Sequence, residues 1–367
     1  MRKLLAVAIS LLSIVFSFTT YQKSPPPSDE VRGKSGFWQI VKQNNIWWFR
    51  SPEGHLEFVT SVQGVLPYQY GIQKPDFVSS DYHGDLNLWA EVTAGRAKNY
   101  GFKAIGPWND SSIDAYMPYF RDLNILKCTN LSIDSPDWEK SIKDAIREQI
   151  EPLKNDKNLI GYFTDNEINW TQNAPYAEKY FSITSKLIKR FDPNHLILGV
   201  RFNKRAPLSV LYASKGKVDA HSLNQYGGAY KNMIRDLYTI CDTPVIISEF
   251  SYFCSPNPSG DKNLNWDSGG YVDTLANRAR NYREFVNGLS SCSFVIGVGW
   301  FRWNDEPPSG REMDGEDLNC GIVDIYDTPY QDMVDAVRST SGNVNLNHQY
   351  SDDNQDAPVW KIDPITY

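Results

Sequence analysis

The chain has no run of basic residues anywhere, and its formal net charge is −7. That argues against nucleic acid and anionic membrane surfaces as partners. It also lacks a comfortable membrane span, because the apolar run from Leu4 to Phe18 is too short to cross a bilayer. Arg2 and Lys3 precede that run and a polar, Pro-rich stretch, Lys23 to Glu30, follows it. This is the layout of a secretory signal peptide. Cleavage is expected, although no clear A-x-A site follows; an uncleaved anchor is the alternative. Cysteine is scarce and odd in number, five in all (Cys128, Cys241, Cys254, Cys292 and Cys320), so they cannot all pair within one chain. None stands in a C-x-x-C or other metal-ligand spacing, and the five His are scattered. We therefore expect no metal site and no cofactor. No G-x-G-x-x-G follows the first strand candidate, so dinucleotide binding has no support. Repeats of fixed period and low-complexity tracts are absent as well.

Aromatic residues are plentiful, with eleven Trp and twenty-one Tyr. Most are expected to fill a bulky core. Sugar rings, however, present apolar C–H faces that stack on aromatic rings, so an acidic, Trp- and Tyr-rich chain also suits a carbohydrate ligand. Hydrophobic residues make up 41% and charged residues 22%, an ordinary globular composition. At 367 residues the length fits one barrel with a short extension.

A hairpin is expected where Phe37–Val41 and Ile46–Phe49 flank the polar Gln43-Asn44-Asn45 turn. Beyond it, short apolar runs alternate with amphipathic stretches. The strand candidates are Leu56–Val62, Ala104–Gly106, Asn124–Cys128, Leu159–Thr164, Leu196–Val200, Val218–Leu223, Pro244–Ser248 and Phe294–Trp300. Helical spacing marks Asp137–Leu153, Tyr271–Leu289 and Tyr330–Arg338. Eight such pairs in about three hundred residues predict an α/β fold, a (β/α)8 TIM barrel with a short N-terminal β-hairpin. The expected divisions are a signal peptide over 1–22, a linker over 23–35, the barrel with its hairpin over 36–345, and a tail over 346–367.

In such barrels the chemistry gathers at the C-terminal ends of the strands. Polar residues just past the apolar runs include Asn109, Asn166, Glu167, Arg201, Asn224, Tyr226, Glu249 and the Trp300–Asp305 cluster. Two strand-end glutamates, Glu167 and Glu249, would face each other across the mouth. Glycoside cleavage needs such a pair, one acid to protonate the leaving oxygen and one carboxylate to attack the anomeric carbon. Asn166 is placed to offer its amide to the neighbouring sugar hydroxyl, and Arg201 and Tyr226 to hold Glu249 ionised. Trp108, Trp300 and Trp303 are candidates for sugar subsites, and Trp170 for the leaving-group side. Trp47 and Trp48 read as packing. The acidic Asp314, Glu316 and Asp317 lack the alternating spacing of a calcium loop. An ordered eighth loop in which Arg311 pairs with neighbouring carboxylates is expected instead.

Asn-Glu after the fourth strand and Glu after the seventh resembles the large barrel clan of retaining glycosidases, which includes β-galactosidases, cellulases and mannanases. Within that clan the wider text resembles the exo-type β-agarase family. The resembling segments are Tyr100-Gly-Phe-Lys-Ala-Ile-Gly-Pro-Trp-Asn-Asp110, Asn158-Leu-Ile-Gly-Tyr-Phe-Thr-Asp-Asn-Glu167 and His195-Leu-Ile-Leu-Gly-Val-Arg-Phe202. Pro244-Val-Ile-Ile-Ser-Glu-Phe250, Gly299-Trp-Phe-Arg-Trp-Asn-Asp-Glu-Pro307 and the stretch from Gly310 to Asp324 complete them. The resemblance implies Glu167 as general acid/base and Glu249 as nucleophile.

The expectation is thus a secreted or periplasmic retaining β-glycoside hydrolase acting on a galactose-containing poly- or oligosaccharide. Its rivals are a β-glucanase or β-mannanase of the same clan and a carbohydrate-binding barrel without turnover. A binding protein has no need of two opposed carboxylates, which weighs against the last.

Overall fold

The computed structural model describes residues 30–67, 81–203, 206–228, 231–254, 259–263 and 270–351; the expected signal peptide lies outside them. The described chain opens with a four-stranded antiparallel sheet of β1 (Glu30–Arg32), β2 (Gln39–Gln43), β3 (Ile46–Arg50) and β4 (Leu56–Glu57). The expected hairpin is its centre. Asn44 and Asn45 take φ of 53° and 66°, the left-handed turn that matches the twist of paired strands. The hairpin has partners on both sides, and β1 begins within the stretch expected as linker. The Trp47 amide donates to the Ser293 carbonyl at 2.7 Å, which docks this sheet beneath the N-terminal end of the last strand. Trp47 and Trp48 are buried, as packing residues should be.

The main sheet holds nine parallel strands. These are β5 (Val59–Val62), β6 (Ala104–Ile105), β7 (Tyr119–Asp122), β8 (Leu159–Phe163), β9 (Leu196–Ile197), β10 (Arg201–Phe202), β11 (His221–Asn224), β12 (Val245–Phe250) and, after the small parallel pair β13 (Phe253–Cys254) and β14 (Tyr271–Val272), β15 (Val295–Trp300). Their order is β10-β11-β12-β15-β5-β6-β7-β8-β9. The two end strands are neighbours in the chain, parted at Gly199, whose φ is +71°. A bridge joins Asn166 to Arg201, and the Glu167 amide donates to the Arg201 carbonyl at 3.0 Å. The sheet therefore curls back toward itself, and the fold is a barrel-like α/β one. Strands such as β8 are buried at every residue, which is why they read as unbroken apolar runs.

Helices alternate with these strands and cover the outer face. In α1 (Leu86–Tyr100) the Asp85 side chain caps the N-terminus by accepting from the amides of Asn87 and Leu88. In α2 (Trp138–Ile150) the spaced residues Trp138, Ile142, Ile146 and Ile150 turn inward.

Several expected elements need correction. The third strand is Tyr119–Asp122, not Asn124–Cys128: Asn124 is left-handed at φ 47° and Ile125–Cys128 form a short 3-10 turn. Two charged residues at the end of β7 masked it as a strand. The fifth run is not one strand to Val200: β9 stops at Ile197, and beyond Gly199 the chain pairs again as β10, Arg201–Phe202. The helix expected over Tyr271–Leu289 is α3 (Leu275–Ser290), which begins behind its Thr274 cap, while Tyr271–Val272 pair with β13. A last helix, Val344–Gln349, crosses the boundary expected at 345.

Candidate active site

The C-terminal ends of the parallel strands surround a cavity of about 610 Å³ lined by Trp108, Asn166, Glu167, Tyr226, Glu249 and Phe301, among others. Glu167 lies just past β8 and Glu249 within β12. Both face the cavity, yet their surroundings differ in kind.

Glu249 is buried and receives a cation and a phenol. Arg201 Nη2 donates to its Oε2, and the Tyr226 hydroxyl donates to its Oε1. Burial and the Glu249 charge push the Tyr226 hydroxyl well above its usual range, so it stays a donor. Arg201 is itself fully buried, with Asp122 Oδ2 3.7 Å from Nη1 and Gln63 Oε1 accepting from Nη2 at 2.9 Å. A buried charge is tolerated where an opposite charge is hydrogen-bonded to it, as Glu249 is to Arg201.

Glu167 receives amides instead. Asn224 Nδ2 donates to Oε1 at 2.8 Å and Asn203 Nδ2 to Oε2 at 3.2 Å. Burial, followed by the Glu249 charge, raises its proton affinity, outweighing the amides and Arg201. The two groups thus differ: Glu249 is held by a buried cation, while burial and its neighbour's charge raise the proton affinity of Glu167, an asymmetry suited to acid and nucleophile. Glu167 and Trp108 also have left-handed backbones, φ 54° and 66°. Such conformations cost energy and gather where side-chain direction matters.

The remaining expected residues divide. Asn166 lines the cavity, its Oδ1 accepting from Asn224 at 3.0 Å. Asn109 lines it too, but its amide is spent on Asp114 Oδ1 at 2.9 Å and the Asp110 carbonyl. Trp108 lines the wall, 5.5 Å from the Arg201 guanidinium. Trp300 and Trp303 are not brought to the cavity. Trp300 packs edge-on against Phe250 and Tyr282, with its indole N–H on the Cys320 carbonyl. Trp303 stacks on Tyr100 at 5.7 Å, and Trp170 on Phe181 at 5.6 Å. A strand-end position does not say which face of the sheet a side chain takes. Arg311 does order the eighth loop, reaching Glu306 at 3.0 Å, Asp314 at 2.6 Å and Glu316 at 2.5 Å.

Gln63, just past β5, escaped the sequence reading. Its Nε2 donates to the Ser248 carbonyl at 2.6 Å while its Oε1 holds Arg201, so it ties β12 to the cation under Glu249. Two glycines make room: a Cβ at Gly106 would fall 2.5 Å from Gln63 Cγ, and one at Gly299 2.6 Å from the Ser248 carbonyl. A leucine at Gln63 should leave both buried partners short of a bond, at roughly 1–3 kcal/mol each. Thermal unfolding of Gln63→Leu should then fall by at least about 2–4 °C. A midpoint equal to that of the parent would remove Gln63 from this supporting role.

No family model matches the chain. β-Agarase A of Vibrio sp. (strain JT0107) is 32% identical over 370 residues, which covers 70% of this chain and 36% of that protein. β-Agarase B of the same strain is 32% identical over 175 residues, 46% of this chain and 18% of the relative. The chain therefore spans only about a third of the length of the first relative and less of the second. Among solved structures, an agarase (AgWH50C) superposes with a TM-score of 0.73 at 20% identity, covering 88% of this chain and 65% of the other. An exo-β-agarase gives 0.74 at 19% identity, with 87% and 67% covered. A β-glucuronidase from an uncultured Clostridium gives 0.57 at 14%, with 86% and 53% covered. At these identities the likeness is one of fold. The chain is related in sequence to β-agarases and shares the fold of solved ones.

Proposed function

We propose that the protein is a retaining glycoside hydrolase, built on a (β/α)8 barrel, that cleaves a β-linked galactose-containing poly- or oligosaccharide by double displacement. One observation carries the reading: two carboxylates from different strands line one cavity, and only one of them is held by a buried cation. Glu249 attacks the anomeric carbon, and the hydrogen bonds from Arg201 and Tyr226 hold it aimed at that atom. Glu167 protonates the leaving oxygen and then takes a proton from the incoming water. Asn166 holds the adjacent sugar hydroxyl, and Trp108 offers an apolar ring to a sugar face. Similarity to two β-agarases supports galactose polysaccharide as the substrate class. The N-terminal segment and the polymeric substrate together support action outside the cytoplasm. No helix among the described residues is long and apolar enough to cross a membrane.

The test is a panel of aryl β-glycosides with agarose, cellulose and mannan, in which the anomeric form of the first product is followed by NMR. Cleavage of β-galactosides, with the β configuration retained in the released hemiacetal, is expected. Glucan or mannan cleavage would replace the substrate, inverted product would replace the mechanism, and binding without turnover would reduce the protein to a carbohydrate-binding barrel.

A further inference from the structure

Strand β10 and the residue just beyond it carry Arg201 and Asn203, two positions apart and so on one face of an extended chain. Arg201 reaches Glu249; Asn203, one step further along, reaches Glu167. One segment therefore serves both carboxylates. The two amides on Glu167 differ in freedom. Asn224 is buried and committed at both ends of its side chain: Nδ2 also meets Asn166 Oδ1 at 3.0 Å, and Oδ1 accepts from Ser248 Oγ at 2.9 Å. Turning it over would break all of these bonds. Asn203 is exposed, and its hydrogen bond to Glu167 at 3.2 Å is the one its side chain makes among the described residues. A half-turn about its last side-chain bond exchanges Nδ2 for Oδ1 and sacrifices nothing else.

That freedom matters because Glu167, as acid/base, must exist in two states. An ionised carboxylate only accepts hydrogen bonds, whereas the protonated acid has an O–H to give. A fixed donor serves the first state alone; an amide that turns serves each. We propose that Asn203 is a positioning residue that follows the Glu167 proton, donating to the carboxylate and accepting from the acid, and so sets the pH at which that proton is lost. The inference rests on the acid/base reading of Glu167.

The two bonds are unequal. The one to the carboxylate is charge-assisted and roughly twice as strong as its neutral counterpart. Removing the amide therefore costs the ionised form more, and Glu167 should hold its proton to higher pH. In Asn203→Ala the alkaline limb of kcat/KM should move up by about half to one pH unit. Asn203→Asp cannot donate to the carboxylate and adds a like charge, so it should move the limb further in the same direction. A purely structural role would lower kcat and leave the limb in place. Carbon-13 NMR titration of the Glu167 carboxyl, in the parent and both variants, reads the same shift without catalysis. An unmoved carboxyl titration overturns the proposal. A carboxyl that shifts while the kinetic limb stays put upholds Asn203 and instead removes Glu167 from the acid/base role.

Discussion

Glu249→Ala or Glu249→Gly should lower kcat on the order of 10⁴- to 10⁶-fold, the scale of removing one member of a covalent catalytic unit. The loss should be chemical rather than structural. Arg201 would lose its closest carboxylate but keep Asp122 and Gln63, so the buried cation is not stranded. Circular dichroism and thermal unfolding should therefore show a folded protein. In the proposed mechanism, the space left by the shortened side chain lies on the face of the sugar that Glu249 would attack. Azide entering there should displace an activated leaving group in one step, giving a glycosyl azide of inverted configuration. Substantial activity in the unrescued variant, or a rescued product of retained configuration, would take the nucleophile role from Glu249.

Both glutamates were legible in the sequence because each follows an unbroken apolar run. Parallel strands buried on both faces leave that signature, and their C-terminal ends are where a barrel gathers its chemistry. The relation between the two environments was legible only in part. Arg201 and Tyr226 stood at strand ends and could be assigned to Glu249, where the fold indeed puts them. Gln63, Asp122 and Asn203 could not be found. Each is an ordinary polar residue at a strand end, and its role depends on which neighbouring strand it meets, a long-range fact with no local spacing to betray it. Arg121 and Asp122 also ended β7 in charge, so the pattern that marks a strand failed where the strand reaches the site. The tryptophans failed differently: Trp300 ends its strand as expected, but alternation turns its ring toward Phe250 and Tyr282, away from the cavity.

Glu167→Ala should separate the two steps of the reaction, because only the first can dispense with a proton. An aryl leaving group of low pKa departs unaided, so the first step should survive with dinitrophenyl substrates and fail with unactivated ones. The second step needs a base to activate water, and without Glu167 it should become rate-limiting whenever the first is fast. Released phenol should then appear as a burst equal to the enzyme present, followed by slow turnover as the glycosyl-enzyme accumulates. Azide needs no general base, so it should speed that turnover and yield a glycosyl azide of retained configuration, opposite to the outcome with the Glu249 variants. Asn224 and Asn203, freed of their carboxylate, border the space that the azide would occupy. Their N–H groups would favour an anion there, so rescue should saturate with azide rather than rise linearly. Equal loss on activated and unactivated substrates, with no burst and no response to azide, would make Glu167 a binding or structural residue.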